Sequence, residues 1–177
     1  MNGQSLTFYF DFISPYAWLA WSRVHQLAEA HGRSVQPVPI LLAGILNFFG
    51  HLGPAEIPPK REYVMKDILR VSTLHGIPVG MPPAHPFNSL LALRVASVEQ
   101  PEEQRRRVIQ ALFEAVWAGG GPGVEDPEVV ARLVSEAGAD GAALVAAAGL
   151  DWQDACLDFH KNTDAVKTLS VSQVRQP

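Results

Sequence analysis

One cysteine, Cys156, is the only thiol in the 177-residue chain. It excludes an intrachain disulfide and a thiolate metal cluster. A basic excess is also missing: 14 Lys and Arg stand against 18 Asp and Glu, for a net charge of −4. The basic residues are scattered, apart from Arg105-Arg106-Arg107 inside a helical pattern. A nucleic-acid footprint is basic and clustered, so nucleic acid is not an expected partner. The N-terminus has no basic stretch leading into an apolar core, so no secretory signal is expected. No run approaches the roughly 20 apolar residues of a membrane span. A cytoplasmic protein with no membrane partner is the expectation. The six histidines show neither H-x-x-x-H nor H-E-x-x-H spacing, so no metal site is expected.

What is present fits a folded chain: 47% hydrophobic and 18% charged residues, enough to bury a sizeable core in one domain. Leu6 to Phe12 reads as a buried strand. Ser14 is a good helix N-cap and Pro15 takes the favoured first helical position. The helix runs through Trp18, Val24, Leu27 and Ala28 to a stop at Gly32. Ser34 to Ile40 is expected as a second strand, parallel to the first, and its Pro37 and Pro39 suggest an edge or a strand that frays early.

From Leu41 to about Leu150 helices dominate. They are expected over Lys60–His75 with Gly76 as the stop, over Pro86–Glu99, over Pro101–Trp117, from Asp126-Pro127-Glu128, and in the Ala-rich stretch 138–149. Asp151 and Asp154 are placed to cap a last helix. A helical block this long is no ordinary connection. The expected architecture is α/β, a small sheet domain with a helical insertion folded over it. Ligands of such sheets bind at the carboxyl ends of strands, where Ser14 stands.

The blocks "YFDFISPYAWLA", "PAEIPPKREYVMKDILR", "GIPVGMPPAHPFNSLLALR" and "ALFEAVWAGGGPGVEDPEVV" resemble the 2-hydroxychromene-2-carboxylate isomerases. These are relatives of kappa-class glutathione transferases in the thioredoxin-like superfamily. The resemblance covers residues 6 to about 166, in order. It implies a thioredoxin-like domain, 1–41 with 151–177, interrupted by an all-helical insertion over 42–150. It implies glutathione as cofactor, a small aromatic substrate, a homodimer and cis–trans isomerisation in aromatic degradation. A kappa-like transferase and a non-catalytic glutathione-binding remnant are the alternatives.

Where thioredoxins carry C-x-x-C, this chain has Ser14-Pro15-Tyr16-Ala17, which excludes dithiol–disulfide exchange. Ser before Pro is commonly a cap and nothing more. The resemblance adds a catalytic role, in which Ser14 and the helix N-terminus hold the glutathione thiolate. It places Lys60, in "IPPK", beside bound glutathione, where an ammonium pairs with a carboxylate. His51 follows Gly50 where the transferases have Gly-Asn, so the position matches and the residue does not. His85, in "PPAHPF", is either a substrate contact or a surface-loop histidine. Asp67 and Arg70 are spaced for a structural ion pair. Trp18, Trp21 and Trp117 are expected in the core. A Ser-His-Asp hydrolase is conceivable from residue types, but "FISPYA" lacks the G-x-S-x-G elbow.

The end of the chain departs from the family pattern. Relatives continue through a segment like "GVFGVPTF", whose cis-proline faces the serine, and then add two strands and a helix. Here "NTDAVKTLSVSQVRQP" stands instead. Val171 and Val174 overlay the two valines of that segment, which makes Val174 a candidate glutathione contact, but Arg175 then takes the proline position. The C-terminal part of the sheet is therefore expected to be missing. A truncated or frameshifted product, a partner chain completing the sheet, and shielding by the helices alone are three explanations.

Overall fold

The computed structural model describes residues 5–150 and 162–166. Strand β1 (Ser5–Phe10) leads through a tight corner into α1 (Pro15–Ala30), and the chain returns in β2 (Ser34–Pro39). The two strands are parallel, with Leu6 opposite Val35 and Phe10 opposite Pro39. Among the described residues the sheet has these two strands. Ile40 N–H donates to the Phe10 carbonyl at 2.9 Å. Even-numbered residues of β2 therefore turn their backbone toward β1, and Pro37 and Pro39 turn theirs away. The missing proline donors fall on the outer edge, where the ladder does not need them.

Seven-residue α2 (Leu42–Phe48) and a single 3₁₀ turn (Pro54–Glu56) precede α3 (Pro58–His75). Two prolines open α3, and Gly76, at φ +63°, ends it in the left-handed conformation. Then follow α4 (Leu90–Ser97), α5 (Glu102–Trp117), α6 (Pro127–Glu136) and α7 (Gly141–Leu150). Asp126 caps α6 through its carboxylate, which accepts from Glu128 N–H at 2.8 Å. The helix expected from Pro86 begins only at Leu90. Asn88 explains the difference: its side chain accepts from Leu90 N–H, while its own N–H donates to Glu125. Both bonds hold the chain outside helical geometry until residue 90. Residues 162–166 are helical, and the buried Thr163 hydroxyl accepts from Leu41 N–H at 3.3 Å. Asp151 and Asp154 lie outside the described residues.

Phe8, Phe10 and Phe12 share one side of β1 and its extension, and the helices pack on that side. Phe113 of α5 lies 5.5 Å from Phe10 and 4.7 Å from Phe12, ring centre to ring centre, and its ring also meets Trp18 and Trp21. All three tryptophans expected in the core are buried there.

Asp11 anchors the end of β1. It is 3% exposed, and its carboxylate accepts from Ile13 N–H at 3.1 Å and from Leu42 N–H, the start of α2, at 2.9 Å. Burial pushes its carboxyl above the ordinary value of 3.8, against the pull of the Ser89 hydroxyl and the two N–H donors. Replacing it with alanine strands two backbone donors, so Asp11→Ala should lower unfolding free energy by about 2–4 kcal/mol in denaturant titrations. A folded value above the unfolded one means that folding takes up a proton here. The stabilisation is complete below the unfolded value of 3.8 and is lost as pH rises through the raised folded value. The stability of the wild-type chain relative to Asp11→Asn should accordingly fall across that window. A difference that stays flat with pH, or rises, would contradict the assignment.

Candidate functional site

The corner between β1 and α1 is fastened on its inner side. Trp117 Nε1 donates to the Phe12 carbonyl at 2.8 Å. His85 Nε2 lies 3.0 Å from the Ile13 carbonyl; a carbonyl only accepts, so this nitrogen carries the proton. Ile13 N–H goes to the Asp11 side chain and Ser14 N–H to the Asp11 carbonyl. The backbone from residue 11 to 14 is thus held by groups from α5 and from the loop 77–89.

That loop wraps around the corner. Its Pro78 carbonyl accepts from Trp18 Nε1 at 2.9 Å, and Gly80 N–H donates to the Trp117 carbonyl at 2.7 Å. A Cβ on Gly80 would stand 2.3 Å from the Gly119 Cα, so only glycine permits this approach.

Ser14 faces outward from this fixed corner. It is half-buried, has extended backbone (φ −91°, ψ 113°) and caps α1, its Oγ accepting from Ala17 N–H at 3.3 Å. Cap and outward hydroxyl are one geometry. The Oγ is engaged as acceptor, and among the described residues its proton has no acceptor, so it can meet a group that approaches the start of the helix. Pro15 has no N–H and the Ala17 and Trp18 N–H groups bond back to Ser14, so what the start of α1 adds is the partial positive charge of the helix end. An anion is the species this arrangement suits. A soft thiolate fits it, since the corner contains no competing cysteine.

The other predicted residues are spread around this point. Lys60 is exposed in the first turns of α3, and among the described residues it joins none of the ion pairs. His51 is exposed just after α2, its ring stacked near Phe49 with centres 6.4 Å apart. His85 is half-buried against Trp117 and Phe87, and its Nε2 is already committed to the corner. Val174 lies outside the described residues.

Asp67 makes a different bond from the expected one with Arg70. Its carboxylate accepts from the Tyr16 hydroxyl at 2.8 Å. The two are 51 positions apart, so spacing within α3 could not reveal the pair. Asp11 was equally hidden, although a charged residue among the phenylalanines of "FYFDF" is a signal that a carboxylate is being buried for a reason.

Two open clefts lie elsewhere. One, about 420 Å³, is bordered by His25, Glu29, Arg33 and Arg106; the other, about 480 Å³, by Arg107, Gln110 and Glu136. Neither reaches Ser14, and each is bordered by several exposed charged side chains. The corner, with its fixed backbone and outward hydroxyl, is the better candidate. Among the described residues no group of His, Cys, Asp and Glu is placed to hold a metal, and no helix is long and apolar enough to cross a membrane.

Comparison with known proteins agrees with this layout. The chain is 33% identical to a 2-hydroxychromene-2-carboxylate isomerase of Pseudomonas putida over 132 residues, which are 73% of this chain and 63% of that protein. It is 28% identical to glutathione S-transferase kappa 1 of Rattus norvegicus over 121 residues, 64% of this chain and 53% of that one. The chain thus spans less than two thirds of the length of these relatives. Among solved structures, a selenomethionine 2-hydroxychromene-2-carboxylate isomerase superposes with a TM-score of 0.79 at 28% identity, covering 93% of this chain and 80% of that one. A family model for the DSBA-like thioredoxin domain matches residues 5–172. The fold is therefore thioredoxin-like with a small two-stranded parallel sheet and mostly helices, and the chain belongs to the DSBA-like thioredoxin-domain family.

Proposed function

We propose that the chain is a glutathione-dependent isomerase acting on small aromatic substrates of the 2-hydroxychromene-2-carboxylate type. The observation that carries this reading is Ser14: a half-buried hydroxyl capping α1 where a thioredoxin would hold its reactive thiol. The relatives supply the reaction class. In this reading residues 1–41 and 151–177 form the thioredoxin-like domain and 42–150 the insertion.

Glutathione, held by Ser14, Lys60 and His51, would supply a thiolate nucleophile at a corner that has no cysteine of its own. The chain's own residues bind and orient. Ser14 Oγ donates its proton toward the sulfur while Ala17 N–H steadies the oxygen from behind. The N-terminus of α1 favours the anionic form of the thiol. Lys60 meets a carboxylate of the tripeptide as a charged donor. His51 contacts the peptide. His85 keeps the Ile13 carbonyl in place through Nε2 and presents its other nitrogen toward the aromatic substrate. Orientation and a preorganised anion site are what such a protein contributes to the rate.

Ser14→Ala should reduce glutathione-dependent isomerisation by about 100-fold or more, the scale of losing one preorganised donor. Its fold should survive, because loss of the cap costs only about 1 kcal/mol. Turnover equal to wild type would remove the assignment. Lys60→Ala should raise the glutathione KM by roughly 10-fold with little change in kcat, as expected for a charged hydrogen bond made equally in ground and transition states.

The match to glutathione S-transferase kappa 1 favours a second reading, conjugation of electrophiles. Thiol consumption decides between them. An isomerase returns its glutathione, whereas a transferase consumes one thiol per product.

A further inference from the structure

Two side-chain hydrogen bonds join α1 to α3 at the surface. Tyr16 donates to Asp67 at 2.8 Å, and an Arg23 guanidinium nitrogen lies 2.9 Å from His75 Nε2. Arginine has only donors, so His75 accepts there. The partners advance together, from 16 to 23 on α1 and from 67 to 75 on α3, so the helices run parallel. Tyr16 is one residue into α1, counted from Pro15, whereas Asp67 is nine residues into α3, counted from Pro58. The difference of eight residues means that α3 projects about two turns, ~12 Å, beyond the start of α1.

That projection extends past the N-terminal end of α1, which Ser14 caps, and Lys60 is part of it. Seven residues before Asp67, Lys60 lies on the same side of α3. The first of the projecting turns has little else to hold it: residues 58–63 are all exposed, Val64 and Met65 after them rest partly buried against the core, and Ile68 is the one fully buried side chain of α3. The Tyr16 hydroxyl is pushed up to about 12, by partial burial first and then by the Asp67 carboxylate. It stays a donor at neutral pH.

We propose that the Tyr16–Asp67 hydrogen bond is a positioning latch that holds the projecting turns of α3, and Lys60 with them, over Ser14. This inference rests on the glutathione reading for the purpose of the latch, and on the helix geometry for its existence. Neither Tyr16 nor Asp67 touches the reacting atoms; both act through Lys60.

The test uses Tyr16→Phe and Asp67→Asn in the full chain, each read by amide hydrogen exchange and by glutathione titration. Exchange at residues 62–66 should accelerate about 5- to 10-fold, the worth of one hydrogen bond, while α5 stays protected. The glutathione dissociation constant should rise by a similar factor, and KM with it, while kcat holds within about twofold. In a Lys60→Ala background Tyr16→Phe should have no further effect on affinity, which a merely stabilising role would not produce. Unchanged exchange at 62–66 overturns the latch, whether or not glutathione binds. An equal loss of affinity with and without Lys60 also overturns it. A wild-type chain that binds no glutathione while both variants loosen 62–66 upholds the latch and sinks the glutathione reading instead.

Discussion

The ring of Phe113 is the contact against which the corner of the sheet is built. From the middle of α5 it meets Phe10 and Phe12 of the first strand and its extension, and Trp18 and Trp21 of α1. Each such aromatic pair adds about 0.5–1.5 kcal/mol beyond the area it buries. One turn further along α5, Trp117 donates to the Phe12 carbonyl. A single helix therefore provides both the apolar floor and a polar pin for a turn that lies far from it in sequence. Burial of the strand on one side follows from this, as does the fixed direction in which Ser14 leaves it.

A corner so fastened has few groups left to offer. The Phe12 and Ile13 carbonyls are taken by Trp117 and His85, and the Ile13 and Ser14 N–H groups by Asp11. What faces outward is the Ser14 hydroxyl and the positive end of α1. A cysteine in the same place would add redox chemistry; a serine cannot, but it keeps the capacity to stabilise an anion. The absence of thiol at both ends of Ser14-Pro15-Tyr16-Ala17 thus narrows the chemistry as strongly as the geometry does.

Much of this was legible in the sequence because it is local. The Ser-Pro cap, the glycine stop after His75, the edge prolines of β2 and the Asp126 cap are each written within a few residues, and the structure keeps them all. The three tryptophans were legible as core because large aromatic side chains on apolar helix faces are seldom left in water. Relations between distant segments were not. Nothing near Trp117 announces that its indole pins Phe12, and nothing near Asp67 points to Tyr16 in preference to Arg70. The start of α4 differs from expectation for a related reason: Asn88 is tied to Glu125, 37 positions away, and propensity alone cannot register such a bond.

The two sides of the proposed site are held by different means, and the difference has a physical consequence. Ser14 sits on a backbone pinned by buried bonds and an aromatic core, and its motion costs a large part of the fold. Lys60 sits on helical turns with exposed side chains, tied back through surface hydrogen bonds whose net worth is only about 1 kcal/mol each. In the proposed function the side that would hold the anion is therefore rigid and the side that would pair its charge adjustable. A thiolate needs a fixed position to be activated, because the helix-terminal field falls off within a turn. A carboxylate at the far end of a flexible peptide needs only a cation within reach. In the proposed function, rigidity would thus be concentrated at Ser14, while the start of α3 is fastened to α1 by weaker surface bonds.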